Sequence, residues 1–145
     1  MRISPHFTLD EAVFSSTAQR KGIDNTPPAD VLENMKKAAD QLEVVRVLMS
    51  RPIHVDSWYR CEPLNKAVGG APNSAHKSGW AIDFICPDFG TPLEIVRAII
   101  DEPAIRFDQC IQEGKWVHIS FDPKYRRSIM TAHFGPNGTT YTQGV

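Results

Sequence analysis

Phe107-Asp108-Gln109-Cys110-Ile111-Gln112-Glu113-Gly114-Lys115-Trp116-Val117-His118-Ile119-Ser120-Phe121 reads as two strands closed by a tight turn. Strand-forming residues lie on both sides of Gly114-Lys115, and glycine at the first central position fits a type II′ hairpin. That register pairs Glu113 with Trp116 and Ile111 with His118. Side chains alternate along each strand, so Glu113, Trp116 and His118 share one face. Glu113 and His118 become diagonal neighbours, about 7–8 Å apart at the backbone. Asp108 falls on the opposite face by the same alternation.

Upstream of the hairpin, Trp80 to Ile85 reads as a strand, and Ile53-His54-Val55-Asp56-Ser57-Trp58-Tyr59 alternates like a half-buried one. Between them lies a loop-rich stretch, Cys61 to Ser78, with a helical turn around Leu64 to Val68. Thr91-Pro92-Leu93-Glu94 has the capping-box pattern and opens a helix that ends before Pro103. Thr8-Leu9-Asp10-Glu11 is a second capping box, opening a short helix that fades by Lys21-Gly22. Val31, Leu32, Met35, Ala38, Ala39, Leu42, Val45 and Leu48 recur at helical spacing. They predict a long amphipathic helix with Pro27 at its first position, ending near Ser50-Arg51-Pro52. Ser128 to Phe134 is a last strand, and the polar tail from Gly135 to Val145 is expected to be loose. The order of elements predicts an α+β fold: a small, mainly antiparallel sheet packed against N-terminal helices. The whole chain, residues 1–145, is read as a single domain.

Composition excludes several classes of function. A formal net charge of -1, with acidic and basic residues interspersed, leaves no basic footprint for nucleic acid. No apolar run approaches the ~20 residues of a membrane span. The N-terminus lacks the apolar core of a secretory signal. If the substrate lies outside the cytoplasm, something other than such a signal must deliver the protein. Cys61, Cys86 and Cys110 are odd in number and form no Cys-x-x-Cys, so reduced thiols are expected rather than a disulfide framework.

His76, Asp83 and His118 carry the chemistry. Two imidazoles and one carboxylate are a set that zinc accepts at a catalytic site, where its fourth position stays open for water. Such a triple can be picked by chance from almost any chain of this length, so its neighbours matter. Asp83, in register with Ala81, must share the hairpin's site face. His76 approaches from the glycine-containing loop before the strand. Glu113, on the same face, is placed to reach a water without becoming a ligand; a solvated carboxylate at a hairpin end is the bland alternative. Arg60, closing the strand from Ile53, can polarise a carbonyl or hold a substrate carboxylate, or be an ordinary surface arginine. Ser74 hydrogen-bonds substrate or merely shapes its loop. Trp116, like Trp58 and Trp80, lines a cleft or packs. His6, His54 and His133 have no motif around them.

These residues resemble a known family. Ser57-Trp58-Tyr59-Arg60, Asn65, Gly69-Gly70, Ser74-x-His76-x-x-Gly79-x-Ala81-x-Asp83 and Trp116-x-His118 are similar to the zinc D-Ala-D-Ala carboxypeptidase family. That family includes D,D-dipeptidases and L-alanyl-D-glutamate endopeptidases of phage lysins, and shares its fold with the hedgehog signalling domain. Ser4-Pro5-His6-Phe7-Thr8-Leu9 and Gly22-Ile23-Asp24-Asn25-Thr26-Pro27 resemble a branch common in phages and prophages. The resemblance covers nearly the whole chain except the end of the tail.

The resemblance implies one zinc ion held by His76, Asp83 and His118. It implies Arg60 as the substrate-binding, transition-state-stabilising arginine, and a peptidoglycan stem peptide cut at a bond involving a D-amino acid. Many members carry the catalytic carboxylate three residues before the last histidine. Here that position is Lys115, so Glu113 is assigned the base role. The expected setting is a monomer made in a bacterial host cytoplasm, acting on the wall after release or as a virion component. Two rival readings remain: a non-catalytic peptidoglycan-binding module, and a dipeptidase for soluble D-Ala-D-Ala.

Overall fold

The computed structural model describes residues 1–145. Arg2–Ser4 (β1) and Phe7–Thr8 (β2) form a small antiparallel pair. Thr8 then accepts from Glu11 N–H while the Glu11 carboxylate accepts from Thr8 N–H, which starts Leu9–Val13 (α1). The single short helix expected over this region is two helices. Phe14 is extended, and the Ser15 hydroxyl caps a new helix, Ser16–Lys21 (α2), by accepting from Ala18 N–H. A serine that bonds the backbone in this way competes with helix continuation.

The long helix is Ala29–Met49 (α3). It begins after Pro28, not at Pro27. Pro28 disfavours helical angles at the residue before it, so Pro27 stays outside and Pro28 becomes the cap residue, with φ -67° and ψ 165°. His54–Ser57 (β3), Glu62–Ala67 (α4), Ala81–Ile85 (β4) and Pro92–Ile100 (α5) follow. Thr91 and Glu94 close a full capping box at the start of α5.

Gln109–Gln112 (β5) and Val117–Ser120 (β6) are the hairpin strands, paired Ile111 with His118 and Gln112 with Val117. The expected register is present. The turn is tighter than a type II′ loop: Gly114 has φ +83°, and Lys115 N–H donates to Glu113 C=O at 3.0 Å. Ser128–Gly135 (β7) and Gly138–Gln143 (β8) complete a six-stranded sheet in the order β3-β4-β6-β5-β7-β8. Every pair is antiparallel except β5 with β7. The tail expected to be loose is therefore an edge strand. Gly135 pairs with Gly138 across Pro136-Asn137, and the residues of β8 are all exposed, which is why its composition reads as polar.

Alternation divides the sheet into two faces. Ile82 and Phe84 of β4, Cys110 of β5, and Val117 and Ile119 of β6 are fully buried. They join Met35, Ala38, Leu42 and Val45 of α3 and Ile95 and Ile99 of α5 in one core. Each large apolar side chain in it contributes about 1.5–3 kcal/mol by burial. This core anchors the back of β4 and β6, so the side chains that point the other way stand on a rigid floor. No helix is long and apolar enough to cross a membrane.

Candidate metal and peptide-binding site

Asp83 and His118 are directly opposite each other on β4 and β6. Both point away from the core, and His118 Nδ1 lies 2.9 Å from Asp83 Oδ1. The third group comes from a loop and needs more support. Ser74 Oγ accepts from His76 N–H at 3.2 Å, and Arg60 N–H donates to His76 C=O at 3.2 Å. Trp58 Nε1–H donates to Gly79 C=O at 2.9 Å, and Asn34 of α3 donates to Ser78 C=O at 3.0 Å. Gly79 has φ +80° and lies so close to α3 that a Cβ there would come within 2.6 Å of Met35 Cγ. The loop is thus strapped to the end of β3 and pressed on α3.

The His76 ring is held in one tautomer. Its Nδ1 lies 2.6 Å from Trp58 C=O. A carbonyl only accepts, so the proton is on Nδ1 and the Nε2 lone pair is free. His76 is 2% exposed; burial pushes the imidazole below its ordinary value, outweighing the pull of Asp83. Burial alone would raise the Asp83 carboxyl, but the adjacent His76 and His118 outweigh it and hold it well below the usual carboxylate range. Asp83 Oδ1 and His76 Nε2 stand 3.3 Å apart. One donor atom from each of His76, Asp83 and His118 lies within 4.8 Å of the others, so the group can hold a metal ion. The donor chemistry, two nitrogens and one oxygen with the His76 tautomer set by its outer hydrogen bond, fits zinc.

A cleft of about 790 Å³ opens over this group. Glu113, Arg60, Ser74 and Trp116 all line it. Glu113 is 8% exposed. Burial raises its carboxyl above the ordinary value, against the attraction of His118 and with help from Asp83. Arg60 presents a buried Nε that has no partner in the chain; burial lowers its guanidinium, and Asp83 opposes that shift. The Trp116 ring packs on Phe134, with centroids 6.2 Å apart. Asp108 also borders the cleft, contrary to the alternation. Its carboxylate is occupied, however, by Arg126 Nε and a terminal nitrogen, each at 2.8 Å. His6, His54 and His133 are not part of the cleft lining.

Some contributors were not foreseen from the sequence. The Asn25 amide donates to Val13 C=O and Tyr59 C=O and accepts from Cys61 N–H. It thereby clamps the backbone on both sides of Arg60. A turn asparagine carries no local sign of such a role. Met130, Phe134, Thr139 and Tyr141 of β7 and β8 form a wall of the cleft. Asn137-Gly138 between alternating strands was the available signal for that hairpin.

A protein-family model described as Peptidase M15 matches residues 5–120. No curated protein matches the chain.

Proposed function

The chain belongs to the peptidase M15 family, and from that premise we propose that it is a zinc-dependent peptidase acting on peptidoglycan stem peptides. The bond it cuts is proposed to involve a D-amino acid. The observation that carries the reading is the meeting of His76, Asp83 and His118 at the floor of a cleft that Glu113 and Arg60 also line.

His76 Nε2, His118 Nδ1 and an Asp83 oxygen are the proposed ligands. A zinc ion bound there supplies Lewis acidity, lowering the pKa of water and polarising a carbonyl. Glu113 takes the proton from the attacking water and returns it to the leaving amine. Its burial suits the task, because a raised carboxyl matches proton transfer nearer neutral pH than a solvated one. Arg60 lines the same cleft, where its guanidinium is placed to meet the carbonyl oxygen or a substrate carboxylate. Asn25 holds the backbone on either side of Arg60 in place for this. Ser74 shapes the loop through its bond to His76 N–H, and Trp116 provides an apolar side to the cleft.

The test is digestion of purified peptidoglycan by zinc-loaded protein beside an EDTA-treated control, with mass spectrometry of the products. Zinc-dependent loss of terminal D-Ala means a carboxypeptidase. Stem peptides freed from the glycan or cut at a cross-link mean an endopeptidase. No zinc-dependent product from sacculi or from free D-Ala-D-Ala overturns the enzymatic reading.

A further inference from the structure

The segment matched to the peptidase family ends at residue 120, yet one wall of the cleft is built from β7 and β8, Ser128 to Gln143. Tyr141 on β8 stands opposite Ala132 on β7. β7 runs parallel to β5 with Ile111 beside Met130 and Gln112 beside Thr131, so the next position of that register sets Glu113 beside Ala132. Glu113 N–H in turn donates to Trp116 C=O across the β5–β6 turn. One row of side chains therefore crosses the sheet in the order Trp116, Glu113, Ala132, Tyr141. Ala132 contributes only a methyl group, so nothing in this row screens the Tyr141 ring from Glu113.

Tyr141 lines the same cleft as His76, Asp83 and His118. It is 51% exposed. The side-chain bonds of the hairpin run through Thr131, His133 and Thr142, leaving the Tyr141 hydroxyl free. We propose that Tyr141 is a substrate-binding residue whose hydroxyl donates a hydrogen bond to a main-chain carbonyl of the peptide lying over Glu113. This rests on the peptidase reading given above.

The chemistry of the row supports that assignment. At this end of the cleft Glu113 and Asp83 are ionisable acceptors, whereas a peptide carbonyl needs a donor. Burial pushes the Tyr141 phenol above its ordinary value, and the charges of Glu113 and Asp83 push it further, so it keeps its proton throughout the neutral range. The Trp116 and Phe134 rings continue the wall beside it, so the bound residue on this side meets a largely apolar, aromatic wall. Backbone recognition by a neutral donor beside such a wall favours a peptide segment without a charged side chain at that subsite.

The experiment uses the full zinc-loaded chain and a soluble stem pentapeptide. Binding is measured by calorimetry in a Glu113→Gln background, and cleavage in the chain with Glu113 intact. Tyr141→Phe keeps the ring and removes only the donor. It is expected to weaken binding and raise KM about fivefold, the size of one lost hydrogen bond, with zinc content and melting temperature unchanged. Tyr141→Ala, which also removes the ring, is expected to do more. Cleavage by the parent chain, together with binding and KM within twofold for Tyr141→Phe, overturns the role of Tyr141 and leaves the peptidase reading standing. A parent chain that neither binds nor cleaves the peptide overturns both.

Discussion

His76 reaches its role through three separate contacts: Ser74 Oγ on its N–H, Arg60 N–H on its C=O, and Trp58 C=O on its Nδ1. None of these partners is a candidate ligand, yet they decide which ring nitrogen faces Asp83. Substitution distinguishes the proposed ligands from the proposed base. His118→Ala is expected to abolish zinc binding and activity together, and zinc should no longer raise its melting temperature as it does for the parent chain. Glu113→Gln is expected to retain zinc and that thermal shift while turnover falls about 10²- to 10⁴-fold, the usual worth of a positioned base. Metal analysis, thermal melts and cleavage rates on one preparation check both. Near-full activity of Glu113→Gln would mean that another group takes the proton.

At the scale of elements, the site depends on how closely the loop before β4 approaches α3. Gly79 is the contact point, with φ +80° and no room for a Cβ against Met35 and Val31. Gly79→Ala therefore introduces both left-handed strain and overpacking. It is expected to destabilise the fold by roughly 2–4 kcal/mol in urea denaturation. Zinc affinity should also fall, because His76 belongs to the same loop. An unchanged denaturation midpoint would show that the loop shifts freely off α3. The β5–β6 hairpin behaves differently. Its register follows from a two-residue connection, and the tighter turn at Gly114 alters the closing bonds without moving His118 off the site face.

Across the whole molecule, acid stability depends on how the crossover from β6 to β7 is tied down. Asp108 accepts from Arg126 Nε, one terminal guanidinium nitrogen and the backbone N–H. The Arg126 hydrogen bond holds the Asp108 carboxyl below its ordinary value of 3.8. A depressed carboxyl contributes stability that is present above the unfolded value and is lost as pH falls through the folded one. Arg126→Gln is expected to lower the melting temperature by a few degrees at neutral pH. The gap from the parent chain should close as pH drops below 3.8. A gap that stays constant from neutral to acid pH would mean that the pair contributes nothing through charge.

The sequence by itself determined the elements and one register. Capping boxes at Thr8 and Thr91, the apolar stripe of α3 and the glycine turn at Gly114 act through near neighbours, so they are legible without a structure. They also placed Glu113, Trp116 and His118 on one face, because alternation is a property of the strand alone. Where local signals competed, reading them singly failed: Pro28 displaced the start of α3, Ser15 divided the first helix, and a polar edge strand passed for a loose tail. Tertiary structure decided everything that joins distant segments. His118 meets Asp83 across 35 residues of sequence, Asn25 clamps Tyr59 across 34, and α3 presses on Gly79. The vacant donor on Arg60 and the Tyr141 wall belong to the same class. Such meetings depend on which strands pair and how the chain closes over the core, and no residue carries a mark of a neighbour that only folding brings to it.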